Sequence, residues 1–267
     1  MKTVATKSTL LLLSLTTLLS GCFKSDIYEQ EFASLKVSQI KIVENGSPAN
    51  YINYEYDSEG RISAIKETLL SLEESISYET TGAIVSLSNQ NEVRYISLNN
   101  SSFGLTEEYY VDDVLTSYSE YQYHNGRMTV AARNEYDSEY NVTAVENYLL
   151  SYNDDDNLEY VTFGFEDEDD SYSGLMYFSE FSDIDNNFNV DILAIMNCHI
   201  NNSFASDLGV LGLRSSKLPL AMTINYFEDD YTDVEYEFFY TVEDGYVTEI
   251  IVSTDVNGDN VYTISYE

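Results

Sequence analysis

Short alternating runs, cut by acidic turns, restrict this chain more than any other feature. Tyr51-Ile52-Asn53-Tyr54-Glu55-Tyr56 leads into Asp57-Ser58-Glu59-Gly60, and Arg61-Ile62-Ser63-Ala64-Ile65-Lys66 returns. A period of two is the pattern of a strand with one buried face, and a turn between two such runs makes a hairpin. The unit recurs in Tyr136-Asp137-Ser138-Glu139-Tyr140-Asn141-Val142 and in Tyr152-Asn153-Asp154-Asp155-Asp156-Asn157-Leu158. Tighter copies are Tyr123-His124-Asn125-Gly126-Arg127 and Tyr240-Thr241-Val242-Glu243-Asp244-Gly245-Tyr246, with further turns at Asn45-Gly46 and Asn257-Gly258. Asn-Gly and Asp-Gly accept the positive φ angles that two-residue hairpin turns demand. The spacing is irregular, so the pattern predicts an all-β, antiparallel meander of hairpins and not a solenoid of fixed period.

Composition supports a folded β domain. The chain has 25 Tyr and 12 Phe but two Pro and no Trp; aromatic and β-branched residues favour strands, and disordered chains are poor in aromatics. One stretch breaks the rhythm. Asn189 to Asn197 is apolar without alternation, and a short helix is expected near 190–197, with Asn189 as its cap and Asp191 at its positive end.

The N-terminus has the layout of a secretory signal. Lys2 and Lys7 precede an apolar stretch from Leu10 to Leu19, followed by small residues. The stretch contains Ser14, Thr16 and Thr17 and is shorter than the roughly 20 apolar residues a spanning helix needs. Leu19-Ser20-Gly21-Cys22 resembles the box of bacterial lipoprotein signals. That resemblance implies cleavage before Cys22, lipid on its sulfur and amine, and attachment to a membrane. The expected organisation is a signal peptide over 1–21, a lipidated Cys22 with a tether over 22–34, and a single β domain over 35–267. Phe23, not Asp, follows the cysteine, which is compatible with delivery to the outer membrane.

Charge narrows the partners. The net charge is −35 at pH 7; nucleic acid is excluded, because phosphates need Lys and Arg to replace released counterions. The acidic runs Asp154–Asp156, Glu166–Asp170 and Glu228–Asp230 read as turn tips. With Cys22 lipidated, Cys198 has no partner and is expected to be a small buried hydrophobe. Histidine is confined to His124, in an Asn-Gly turn, and His199, beside Cys198. Neighbours in an extended segment point to opposite sides, so Cys198 and His199 do not form a nucleophile pair. No Gly-x-Ser-x-Gly, phosphate loop, zinc helix or dinucleotide fingerprint is present. Asp255-Val256-Asn257-Gly258-Asp259-Asn260 has the first spacings of a calcium loop, but its sixth position is Asn260, not Gly, and its twelfth is Tyr266, not Glu. A hairpin turn is the better reading, and no catalytic, cofactor or metal residues are assigned.

Two resemblances extend this. Tyr56-Asp57-Ser58-Glu59-Gly60-Arg61-Ile62 resembles the tyrosine–aspartate repeat of Rhs-type shells, in one strict copy. More of the chain is similar to a family of lipoproteins of unknown function, mostly from Bacteroidetes, with a porin-like β fold. The likeness lies in successive Tyr-x-Tyr hairpins, the apolar segment Val190 to Met196, Ser216-Lys217-Leu218-Pro219, Asp244-Gly245-Tyr246-Val247-Thr248-Glu249-Ile250 and the terminal Tyr-Thr-Ile-Ser-Tyr-Glu. The family implies a curved or barrel-like sheet and supplies no activity. A membrane pore is not expected, since a spanning barrel needs an apolar outer band and many strands here carry polar residues at alternate positions. The expected role is a non-catalytic structural or binding module of the cell envelope, held to the membrane by its lipid, with a carbohydrate or protein ligand. The alternative is a glycan-directed hydrolase that uses an unassigned carboxylate pair.

Overall fold

The computed structural model describes residues 36–44, 47–69, 71–79, 81–87, 91–186, 214–228, 230–254 and 258–267. The expected signal and tether, Cys22, the helix near 190–197, Cys198, His199 and Asp255 to Asn257 lie outside the described residues.

The strands are β1 (Val37–Glu44), β2 (Asn50–Tyr56), β3 (Ile62–Glu67), β4 (Leu72–Glu79), β5 (Gly82–Leu87), β6 (Glu92–Leu98), β7 (Gly104–Val111) and β8 (Val114–His124). They continue with β9 (Arg127–Tyr136), β10 (Val142–Tyr152), β11 (Leu158–Asp167), β12 (Ser171–Asp185), β13 (Lys217–Tyr226), β14 (Val234–Glu243), β15 (Tyr246–Thr254) and β16 (Gly258–Tyr266). Each pairs antiparallel with its neighbours in sequence, and β1 pairs with β16, so the meander closes into a barrel. Closure leaves no unpaired sheet edge. Connections alternate between two ends. The far end carries the β1–β2 turn and every second turn after it. The terminal end carries the remaining turns, the start of β1 and the end of β16.

Among the turns whose residues are all described, seven of eight follow two designs. In the five-residue design, the first side chain accepts backbone N–H bonds from the third and fifth residues, and the fourth residue has positive φ. Asp57 accepts from Glu59 and Arg61, both at 2.9 Å, with Gly60 at φ 84°. Asp137 does the same for Glu139 and Asn141 with Tyr140 at 63°, and Asn153 for Asp155 and Asn157 with Asp156 at 64°. A fourth copy, absent from the expected set, has Asn99 accepting from Ser101 and Phe103, with Ser102 at 62°. In the two-residue design both residues have positive φ, as at Asn125-Gly126, Asp244-Gly245 and, unforeseen, Asp112-Asp113. Asp and Asn suit these positions because their short polar side chains satisfy the turn's own amides.

Alternation places one face of every strand inside. Val85, Val161, Leu218 and Ile250 are without solvent contact, and one apolar cluster joins β3 through to β16. Barrels of 16 strands in porins enclose an aqueous channel; here the buried positions of the wall are mostly apolar. The outer faces read Glu73, Ser75, Ser77 and Glu79 on β4, Glu120 and Gln122 on β8, Glu235 and Glu237 on β14, and Thr263 and Ser265 on β16, all exposed. Exposed Leu149, Tyr160, Tyr177 and Phe239 are interspersed among them. The polarity is the reverse of a spanning barrel, whose outer band is apolar.

The recurring tyrosines have a shared task at the terminal end. Each lies near the end of an even strand and donates its hydroxyl to a carbonyl at the start of the preceding odd strand. Tyr56 donates to Val37 (2.7 Å), Tyr78 to Ile62 (2.9 Å), Tyr123 to Gly104 (2.7 Å), Tyr240 to Pro219 (2.6 Å) and Tyr266 to Val247 (2.7 Å). The residue just before four of these acceptors covers the ring. Lys36 lies 4.7 Å from the Tyr56 centroid and Arg61 4.3 Å from that of Tyr78. Phe103 meets Tyr123 at 5.3 Å and Tyr246 meets Tyr266 at 5.1 Å. Burial, helped by the nearby Glu267 carboxylate, pushes the Tyr56 phenol up to about 12. Burial does the same for Tyr78 and Tyr266 and drives Tyr123 and Tyr240 higher still.

Candidate functional site

The lumen changes character along its length. Towards the far end, the inward positions of β3 to β10 carry charge. Arg94 on β6 faces Tyr109 on β7, and Ile96 faces Glu107. Ser119 on β8 then faces Arg133 on β9, which faces Glu146 on β10. Glu107 and Glu146 are almost wholly buried, as are Ser117 and Ser119 beside them. Arg94 reaches Glu107 at 2.9 Å and lies 4.2 Å from the Tyr109 ring centroid. Tyr121 donates to the other Glu107 oxygen at 3.3 Å, Tyr109 donates to Glu92, and Arg133 pairs with Glu135 at 2.8 Å. Burial opposes the Arg94 charge, but the charge and hydrogen bond of Glu107 outweigh it and hold the guanidinium above its ordinary pKa.

The opposite arc of this mouth is aromatic. Phe165 stacks on Tyr172 at 5.0 Å, and Tyr226 stacks on Tyr231 at 5.1 Å. Tyr172 meets Tyr231 at 5.3 Å, and Phe163 meets Tyr226 edge-on at 5.7 Å. Gly174 makes room for this packing, since a Cβ there would lie 2.6 Å from Phe163 Cζ and 2.5 Å from the Asn225 carbonyl oxygen. At the rim, Tyr231 donates to Asp170 (2.7 Å to Oδ2), and Glu228 accepts from the Ser173 amide (2.8 Å) and hydroxyl (2.9 Å).

One carboxyl in the charged arc is displaced in acidity. Burial pushes Glu74 up to about 7; Arg94 pulls it down, while Glu67, Glu92 and Glu107 push it further up. A glutamate whose folded pKa exceeds its unfolded value destabilises the fold once it ionises. Its favourable protonated state is complete below the unfolded pKa, and that benefit is lost as pH rises towards 7. Glu74→Gln should therefore raise the melting temperature at pH 8 and change it little at pH 4. Equal gains at both pH values would show that a property other than ionisation sets the Glu74 contribution.

The other singled-out residues lie elsewhere. His124 is exposed at the end of β8, beside the Asn125-Gly126 turn. The acidic runs at Asp154–Asp156 and Glu166–Asp170 are exposed at turns, and the Asp169 and Asp170 amides bond to Asp167. Thr254 pairs directly with Gly258. Among the described residues, no three His, Cys, Asp or Glu side chains stand close enough to hold a metal ion. The sequence reading did not single out Arg94, Glu107, Arg133 or Glu146. A signal existed for one of them: Glu146 shares its parity with Ala144, Tyr148 and Leu150, the buried face of β10.

No protein-family model matches the chain, and no curated protein does. Solved structures do. A porin-like protein from Bacteroides vulgatus ATCC 8482 superposes with a TM-score of 0.69 at 16% identity, covering 86% of this chain and 98% of that one. A porin-like protein from Bacteroides uniformis ATCC 8492 gives 0.65 at 13% identity, covering 86% and 96%. At such identities the likeness is one of fold. It agrees with the porin-like β fold that the hairpin pattern and terminal motifs implied.

Proposed function

We propose that this chain is an exported lipoprotein, held to the outer membrane through lipid on Cys22, whose barrel is a non-catalytic structural or binding module of the cell envelope. The polarity of the wall carries this reading. A barrel with apolar buried positions and a polar, charged exterior is built to stand in water, so the membrane attachment falls to the lipid and not to the strands. The mouth at the far end, acidic on one arc and aromatic on the other, is where a carbohydrate or protein ligand would be engaged; tyrosine rings offer apolar area together with a hydroxyl. Nucleic acid is no partner for a surface of this charge. The test of the anchor is Cys22→Ser, followed by labelling with radioactive palmitate and fractionation. The variant should lose the label and leave the membrane fraction. Unchanged processing and firm membrane association would remove lipid from the account.

One observation favours the hydrolase reading. Glu74, pushed up towards neutral acidity, shares the mouth with Glu92, and a raised carboxyl with a second carboxyl near it resembles the acid–base pair of glycoside hydrolysis. Against it, Glu92 already accepts from the Tyr109 hydroxyl. Glycan hydrolysis that disappears in both Glu74→Gln and Glu92→Gln, with folding intact, would establish the enzyme.

A further inference from the structure

The two ends of the barrel differ in charge, and this difference bears on how the molecule stands. Lys36, Arg61, Arg127, Arg214 and Lys217 all lie at the terminal end, at or just before the starts of odd-numbered strands. After Arg133 the whole sequence has no basic residue except Arg214 and Lys217. Several acids at this end are matched: Arg61 pairs with Asp57 at 2.7 Å, Arg127 with Asp156 at 3.4 Å, and Lys217 with Asp185 at 2.5 Å. Towards the far end, Lys66, Arg94 and Arg133 are engaged with Glu55 and Glu73, with Glu107 and with Glu135; the described far-end turns themselves contain no Lys or Arg, yet carry Asp112, Asp113, Asp137, Glu139, Asp169 and Asp170 among their acids. The terminal end is also where β1 begins, hydrogen-bonded through Lys36 to Glu267.

We propose that the terminal end is a membrane-facing surface: the lipid-bearing segment leads into it, its basic residues offset part of its acidity, and the more acidic far end with its polar mouth points away from the bilayer. The proposal rests on the Cys22 anchor put forward above. The anchor alone does not fix the orientation. Thirteen residues from Cys22 to Ser34 reach at most about 45 Å, longer than the roughly 25 Å between barrel ends expected for tilted strands of this length. The barrel could lie on its side or invert. Negatively charged headgroups decide between these states, because they repel the unmatched acids of the far end more than the matched acids of the terminal end.

The chain has no tryptophan, so single tryptophans report position without background. Ser58 and Ser138 occupy the same place in matching turns at opposite ends, and both are exposed. Full-length lipidated Ser58→Trp and Ser138→Trp proteins are reconstituted into vesicles containing phosphatidylglycerol and a lipid with a dansyl headgroup. Energy transfer from tryptophan to dansyl is then read. With ends about 25 Å apart, transfer from Ser58→Trp should exceed that from Ser138→Trp by about threefold or more. The ratio should fall as salt screens the headgroups. Equal transfer, or more from Ser138→Trp, overturns the orientation; a ratio indifferent to salt overturns charge as its cause. The same tryptophans on Cys22→Ser should give no transfer. If they still transfer, the anchor has failed, and the ratio between them continues to test the orientation by itself.

Discussion

Glu107→Leu should destabilise the barrel by about 3–5 kcal/mol, the usual cost of removing one partner from a buried ion pair. Glu107 is 3% exposed and accepts from Arg94 and Tyr121. Deleting the carboxylate leaves the Arg94 guanidinium charged in the lumen, because an arginine does not shed its proton to adapt. The loss therefore measures the uncompensated charge more than the bond itself. The companion variant separates the two. Arg94→Met with Glu107→Leu removes both charges, fills similar volume and should recover most of the loss. Chemical denaturation of the single and double variants reads the difference. A single variant as stable as the parent would mean that Arg94 finds other carboxylates in the mouth, with Glu74 and Glu92 the nearest candidates. A double variant as unstable as the single would mean that packing, and not charge, is what Glu107 supplies.

The second large effect is alkaline. The hydroxyls of Tyr56, Tyr78, Tyr123, Tyr240 and Tyr266 are donors to carbonyls, and burial is the main reason each phenol stays protonated beyond its ordinary range. In the unfolded chain they ionise near pH 10. The sign follows from linkage. Between about pH 10 and 12 the unfolded chain has released these protons and the folded chain has not, so stability is intact below 10 and falls as pH rises. One phenol contributes about 1.4 kcal/mol per pH unit, so five contribute roughly 7, or about 3 after a discount for those that remain partly solvent-exposed. Over those two units the loss is about 6 kcal/mol, a large share of a typical total of about 5–15 kcal/mol, so unfolding should set in as pH approaches 12. Phenolate absorbance should rise late and steeply, together with loss of the strand signal in circular dichroism. A shallow rise centred near 10 with strands intact would show that the hydroxyls are not held at their carbonyls.

Much of the wall was legible because turn chemistry is local. Asp57 and Asp137 satisfy turn amides with their own side chains, and Tyr-Asp-Ser-Glu announces it twice. The Asn99 turn went unread because Leu98, not a tyrosine, precedes it and Asn99-Asn100-Ser101-Ser102 holds no acid, and the Asp112-Asp113 turn because neither residue is Gly or Asn. Alternation gave the strand class but not the closure. β1 and β16 join across more than two hundred residues, and their pairing leaves no mark on either segment alone. The ion network was hidden for a related reason. In Thr106-Glu107-Glu108 an inward and an outward acid stand side by side, and the register with Ile96 and Ser119 is what tells them apart.

The tyrosine latch has an implication for ancestry. Each latch is internal to one hairpin: the even strand supplies the ring, the odd strand before it supplies the carbonyl, and in four of the five the residue just ahead of that carbonyl covers the ring. Nothing in the bond refers to the next hairpin along. A stretch of gene encoding such a pair could be copied or lost with its fastening intact, and the sheet would grow or shrink by two strands while its ends still met. The near-repeat of Tyr56-Asp57-Ser58-Glu59 at Tyr136-Asp137-Ser138-Glu139 is not a trace of such copying, because the two turns lie at opposite ends of the barrel; the latch nonetheless makes the circumference of the barrel a quantity that descent can change in even steps.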